Sequence, residues 1–224
     1  MKKGFTLAEV LITLGIIGVV AAMTLPSVVG NYKKKVTVTR LKKFYSTMQQ
    51  AIQLAEKDYG DIEYWMPPQE AVRNSSGFGK WFDKYLSKSF KILSEKPYSS
   101  SAKEYEVALA DGSGFLAYAA GTATVHFFYC TELRYCAPER YDGQTSFLFT
   151  ITKVNNKFKF ITSHGSNQNM TREQLLEQCK YGNYDNADVS ISDKRHACAR
   201  LIEYDGWEIK DDYPWKQTIL EPKD

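Results

Sequence analysis

Glu9 is the first residue whose chemistry demands a partner. It is the one charge in the apolar run from Phe5 to Gly30, in an amino-terminal stretch that reads MKKGFTLAEVLITLGIIGVVAAMTLPSVVG. At about 1.5 Å of rise per residue such a run can cross a hydrocarbon core of roughly 30 Å. An unpaired acid inside it is costly, about 2.5–3.5 kcal/mol for an aspartate at a helix centre. Four cysteines, Cys130, Cys136, Cys179 and Cys198, all lie beyond the run. An even number in an exported domain reads as disulfides, and three pairings are open in principle. The short separations favour Cys130 with Cys136 and Cys179 with Cys198. A zinc site is disfavoured, because no C-x-x-C spacing occurs and the histidines stand apart at 126, 164 and 196. No G-x-S-x-G, P-loop or H-E-x-x-H pattern is present, so each histidine is expected to be structural and no enzyme activity is expected.

The elements that carry these residues follow from periodicity. Leu41, Phe44 or Tyr45, Met48, Ile52 and Ala55 recur at three and four, with Leu54 on the flank. That spacing predicts an amphipathic helix over 31–56, continuing out of the apolar run. Pro26, Gly30 and the β-branched Val36-Thr37-Val38-Thr39 weaken the helix locally. Residues 57–104 are the least periodic part. Trp65-Met66-Pro67-Pro68 and Asn74-Ser75-Ser76-Gly77 read as breakers, and an aromatic-faced helix is expected at about 80–91, its rings serving as core.

A β region comes next. Tyr105–Ala110, the turn Asp111-Gly112-Ser113-Gly114, and Phe115–Ala120 predict a hairpin, with Thr122–Cys130 as a third strand. Thr145–Lys153 and Lys157–Thr162 predict a second hairpin around Asn155-Asn156, and Thr131–Gln144 reads as a polar loop. Thr171-Arg172-Glu173-Gln174 has the capping-box pattern for a helix through Lys180, and Asp193 can cap another through Ile202. A Cys179–Cys198 bridge would staple the two, contributing about 3 kcal/mol on the loop-entropy model. Trp207 and Trp215 are expected to close the core from outside. The fold class is α+β: a long, kinked amino-terminal helix, membrane-spanning in its first half, packed on an antiparallel sheet head with short carboxy-terminal helices.

Lys2-Lys3-Gly4-Phe5-Thr6-Leu7-Ala8-Glu9-Val10 resembles the processing motif of type IV pilins and type II secretion pseudopilins. The resemblance implies a membrane-embedded prepilin peptidase that cuts between Gly4 and Phe5 and methylates the new amino group of Phe5. It implies that Glu9, fifth in the mature chain, pairs with the amino terminus of a neighbouring subunit, and that Pro26 kinks the long helix. The division it suggests is 1–4 leader, 5–30 transmembrane and filament-core helix, 31–56 amphipathic helix, and 57–224 globular head. The implied role is a structural subunit polymerised from the bacterial inner membrane, with the head outside the cytoplasm and other pilin subunits as partners. A minor filament-tip adhesin or substrate-binding subunit is the alternative.

Two plainer readings compete for the first thirty residues. A secretory signal could end near Val20-Ala21-Ala22, but its apolar region lasts only about 7–15 residues and has no use for an acid. A plain single-pass anchor has no use for Glu9 either. Charge distribution bears on partners. Residues 33–43 hold six basic residues and no acid, leaving residues 44–224 net negative, so nucleic acid is not an expected partner. The basic cluster Lys33–Lys35, Arg40, Lys42 and Lys43 reads first as a solvated helix face. Its second reading is contact with lipid headgroups or an acidic neighbour. No cofactor is expected. Calcium, which major pseudopilins bind in a head loop, stays open at the acidic turns Asp111-Gly112-Ser113 and Asn183–Asp188, without EF-hand spacing.

Overall fold

The structure is a computed structural model that describes residues 6–99, 102–138, 140–181 and 195–215. Helix α1 spans Leu7–Tyr59. The chain divides into two compact units, Met1–Val36 and Thr37–Asp224. In the first unit the side chains from Thr6 to Val29 are exposed along α1. Among the described residues α1 is the helix long and apolar enough to cross a membrane. Two of its threonines satisfy their hydroxyls locally. Thr13 Oγ1 donates to the carbonyls of Glu9 and Val10, each at 2.9 Å, and Thr24 Oγ1 donates to that of Val20 at 2.9 Å. Pro26 lies inside α1, where its missing N–H removes the bond to the Ala22 carbonyl. The helix also continues through the β-branched run at 36–39, and Thr37 is its first buried residue. Propensity deficits of a few tenths of a kcal/mol per residue yield to packing on one face.

In the second unit the apolar stripe of α1 meets a six-stranded antiparallel meander. Its strands are β1 Ile92–Pro97, β2 Tyr105–Leu109, β3 Gly114–Gly121, β4 Thr124–Cys130, β5 Ser146–Val154 and β6 Lys157–Ile161, in sequential order. Period-two alternation sends Val107, Phe115, Phe127, Phe149 and Phe160 to one face, where Leu41, Phe44, Met48, Ile52 and Ala55 cover them. Phe44 is the hub, its ring 4.5 Å from that of Tyr129 and 5.1 Å from that of Phe149. Tyr45 sits beside the stripe, 5.3 Å from Trp207, while Leu54 is exposed. Asn155 and Asn156 both take positive φ, the geometry of the tight hairpin turn their types predict.

Three expectations are corrected. The aromatic helix, α2, is Ser75–Tyr85 rather than 80–91, because Asn74 caps it by accepting the Gly77 N–H. Residues read as breakers are its cap and first turn. Strand β1 was not expected. It lacks alternation, being an edge strand with Leu93 exposed and Lys96 paired to Glu106 at 3.5 Å. Most consequentially, the loop expected as polar over Thr131–Gln144 packs on the sheet. Tyr141 stacks on Phe128 at 5.7 Å, over Leu116, Tyr118 and Leu148 on the second face of the sheet. The middle strands are therefore buried on both sides.

Asp142 holds that loop together. It is buried and accepts from the backbone N–H groups of Gln144 at 2.8 Å, Thr145 at 2.7 Å and Ser146 at 3.1 Å, and from Arg140 at 3.2 Å. Gly143 beside it has φ +76°, and a Cβ there would meet the Cβ of Cys198 at 2.8 Å, so the turn has room only for glycine. Both favoured disulfides are present, Cys130–Cys136 with Cα atoms 5.5 Å apart and Cys179–Cys198 with Cα atoms 4.7 Å apart.

Helix α3, Arg172–Tyr181, opens with the expected capping box. Thr171 N–H donates to Gln174 at 2.9 Å, and the Gln174 N–H returns to Thr171 Oγ1 at 3.4 Å. Helix α4 is Cys198–Tyr204, two residues longer at its end than expected; Asp193, its expected cap, lies outside the described residues. Arg172 grips Asp205 and Asp212 with bidentate bonds of 2.7–2.9 Å, tying down the segment whose Trp207 and Trp215 pack on the core.

Candidate functional site

Gly4 and Phe5, the residues of the expected cut and methylation, lie outside the described residues. The chain next to them is built for a purpose the T-x-x-E pattern could have disclosed. Thr6 and Glu9 form a capping box at the start of α1. Glu9 accepts from the Thr6 N–H and from Thr6 Oγ1, both at 2.8 Å, and the Glu9 N–H reaches Thr6 Oγ1 at 3.3 Å. The carboxylate is thereby turned back toward the amino-terminal end of the helix, where the helix dipole also favours negative charge. Read from composition, Glu9 was only an expensive acid; its bonds show a held one.

The basic cluster is more than a solvated face. Arg40 donates to the Thr131 carbonyl, and Lys43 pairs with Asp111 at 2.7 Å. Both tie the second half of α1 to the sheet end. Asp111 also accepts from the Ser113 N–H at 3.1 Å. Partial burial works against the Asp111 charge, but the bonds from Lys43 and Ser113 outweigh it and hold the carboxyl at about 2 against an ordinary 3.8. Stability from this carboxylate is complete above its ordinary value and is lost as pH falls toward about 2. Lys43→Met is therefore expected to start acid unfolding at higher pH, checked by circular dichroism melts from pH 5 to pH 2.

Asp111-Gly112-Ser113 thus has its acid engaged by Lys43, and the other calcium candidate, Asn183–Asp188, lies outside the described residues. Among the described residues no group of three or more His, Cys, Asp or Glu side chains could hold a metal ion. The histidines nevertheless do not stand apart. The ring of His164 lies 6.0 Å from that of His126 and 6.3 Å from that of His196, and Tyr141 Oη is 3.1 Å from His196 Nε2. The sheet and the carboxy-terminal segment bring them together on the second face, which no spacing could have announced.

The described amino-terminal segment is thus an exposed apolar helix with one capped acid at its start. Residues 1–25 match the prokaryotic N-terminal methylation motif, the signature of type IV pilins and pseudopilins, which supports a pilin-like precursor. The motif implies processing by a prepilin peptidase and assembly with other pilin subunits. Residues 27–217 match the family described as Family of unknown function (DUF6613), and the chain belongs to that family. No curated protein and no solved structure matches it.

Proposed function

We propose that this protein is a structural subunit of a type II secretion or type IV pilus filament. In this reading the peptidase cuts between Gly4 and Phe5 and Phe5 is methylated. Residues 5–30 anchor the chain in the bacterial inner membrane with the head outside the cytoplasm, and Pro26 kinks the helix. The observation that carries it is the Thr6–Glu9 capping box at the head of an exposed apolar helix. Glu9 supplies a negative charge four residues along the chain from the new amino group at Phe5. A neighbour's amino terminus can pair with it, and either charge alone is costly in a low-dielectric surround. The pair acts as a register device, since a subunit docks where both charges are met. The two disulfides support an oxidising location for the head.

Mass analysis of the mature amino terminus tests the reading. A methylated Phe5 start is expected. A start after Ala22 would make the run a secretory signal, and an intact Met1 would make it a plain anchor.

A tip or substrate-binding role has one observation in its favour: an open groove of about 610 Å³ beside Tyr64, Trp65 and Tyr85, with Lys80 and Lys84 at its side. Copy number relative to the other subunits separates the two roles.

A further inference from the structure

A second cavity, of about 390 Å³, opens between α1, the segment before β1 and the β2–β3 turn. Its volume falls in the range of small-molecule sites, roughly 300–1,000 Å³. The floor is apolar and largely aromatic: Phe44, Phe90, Leu109 and Tyr129. Three cations line it, Arg40, Lys43 and Lys91, against one acid, Asp111. Lys43 is neutralised by Asp111. Arg40 spends one donor on the Thr131 carbonyl, and among the described residues neither Arg40 nor Lys91 has a carboxylate in ion-pair reach. The cavity therefore has an oily wall and a positive rim with two charges to spare.

We propose that this cavity binds a carboxylate carried on an apolar, preferably aromatic, body: a small aryl or alkyl acid, or the carboxy terminus of a peptide ending in an apolar residue. The planar fork of Arg40 suits a carboxylate, with Lys91 as a second point charge. The body covers the half-buried Phe90 ring and Leu109 side chain, and offset or edge contacts with the ring are favourable. Neither half suffices. An acid without a body makes only exposed ion pairs, which contribute little, and a body without an acid leaves the cationic rim unmatched. The site lies wholly within the second unit, Thr37–Asp224, and does not depend on the filament reading.

The test uses the full-length protein in nanodiscs, with empty nanodiscs as blank and 3-phenylpropionate as probe, read by calorimetry and saturation-transfer NMR. Saturable binding is expected, with 3-phenylpropanamide and acetate each about tenfold weaker or more, the scale of a lost charge-assisted bond. Lys91→Met, at an exposed position, is expected to weaken the probe about two- to fivefold, the worth of one exposed ion pair, while leaving the urea midpoint unchanged. The tripeptide Ala-Ala-Phe, with free and amidated carboxy termini, separates the sources. Tighter binding of the free-acid peptide than of 3-phenylpropionate assigns the site to peptide ends, and the reverse order assigns it to small acids. Equal binding of acid and amide, no saturable binding of the probe, or an unaltered affinity in Lys91→Met overturns the proposal.

Discussion

Glu9→Ala is expected to leave the protein in the membrane with its head folded, and to lower its recovery in sheared filaments by at least about tenfold, the scale of one lost charged hydrogen bond. The first half of this expectation follows from the cost of the acid. Removing a carboxylate from an apolar segment lowers the cost of insertion by up to about 3 kcal/mol. Losing the Thr6–Glu9 capping box costs about 1 kcal/mol at one end of a helix of 53 residues. The second half follows from the register role. Without the charge, a docked subunit leaves its neighbour's amino group buried and unmet. Membrane fractionation and quantified filament shearing read the two halves separately. Glu9→Gln keeps an acceptor for Thr6 and discards the charge, so a filament defect equal to that of Glu9→Ala assigns the effect to charge. Normal filament yield from either variant would remove Glu9 from the assembly mechanism.

Asp142→Ala is expected to be the most damaging single change in the head, at about 3–5 kcal/mol. Arg140 is buried beside it and would lose its counter-charge. The backbone N–H groups of Gln144, Thr145 and Ser146 would lose their acceptor, the last two at buried positions. The loop they shape covers the second face of the sheet, so the loss spreads to the packing of Tyr141 on Phe128. Against a total stability of about 5–15 kcal/mol, such a loss is a large fraction. Urea unfolding followed by tryptophan fluorescence measures it, and Asp142→Asn, which keeps one acceptor oxygen, is expected to recover part of the difference. A shift below about 1 kcal/mol, the worth of one ordinary hydrogen bond, would mean that the network is dispensable.

Much of the fold could be read because neighbours along the chain encode it. The stripe Leu41, Phe44, Met48, Ile52 and Ala55 is a matter of helical period, and all five are buried as that period predicts. Strands β2 to β6 announce themselves by runs of β-branched and aromatic residues and by turns such as Asn155-Asn156. The capping box at Thr171–Gln174 and the two short-range cysteine pairs are equally local. The misses are of two kinds. Asn74-Ser75-Ser76-Gly77 and β1 failed on ambiguous local signals, since cap residues and breakers share a composition and an edge strand need not alternate. The others could not be read locally at all.

The amino-acid sequence by itself determined the apolar helix, its one acid, the processing signature and the α+β order of elements apart from β1, and it favoured the cysteine partners, because each depends on residue type and spacing along the chain. Only the tertiary structure decided that Arg40 and Lys43 clamp the sheet end, that Asp142 folds a loop over the second face, and that three histidines meet there. Apart from the bonds of Asp142 within its own loop, those contacts join residues far apart in the chain, and sheet register, fixed by packing against α1, places them. Glu9 stands between the two cases. Its need for a partner is written in the residues around it, while the bond that first answers that need, to Thr6, became visible only with the helix built.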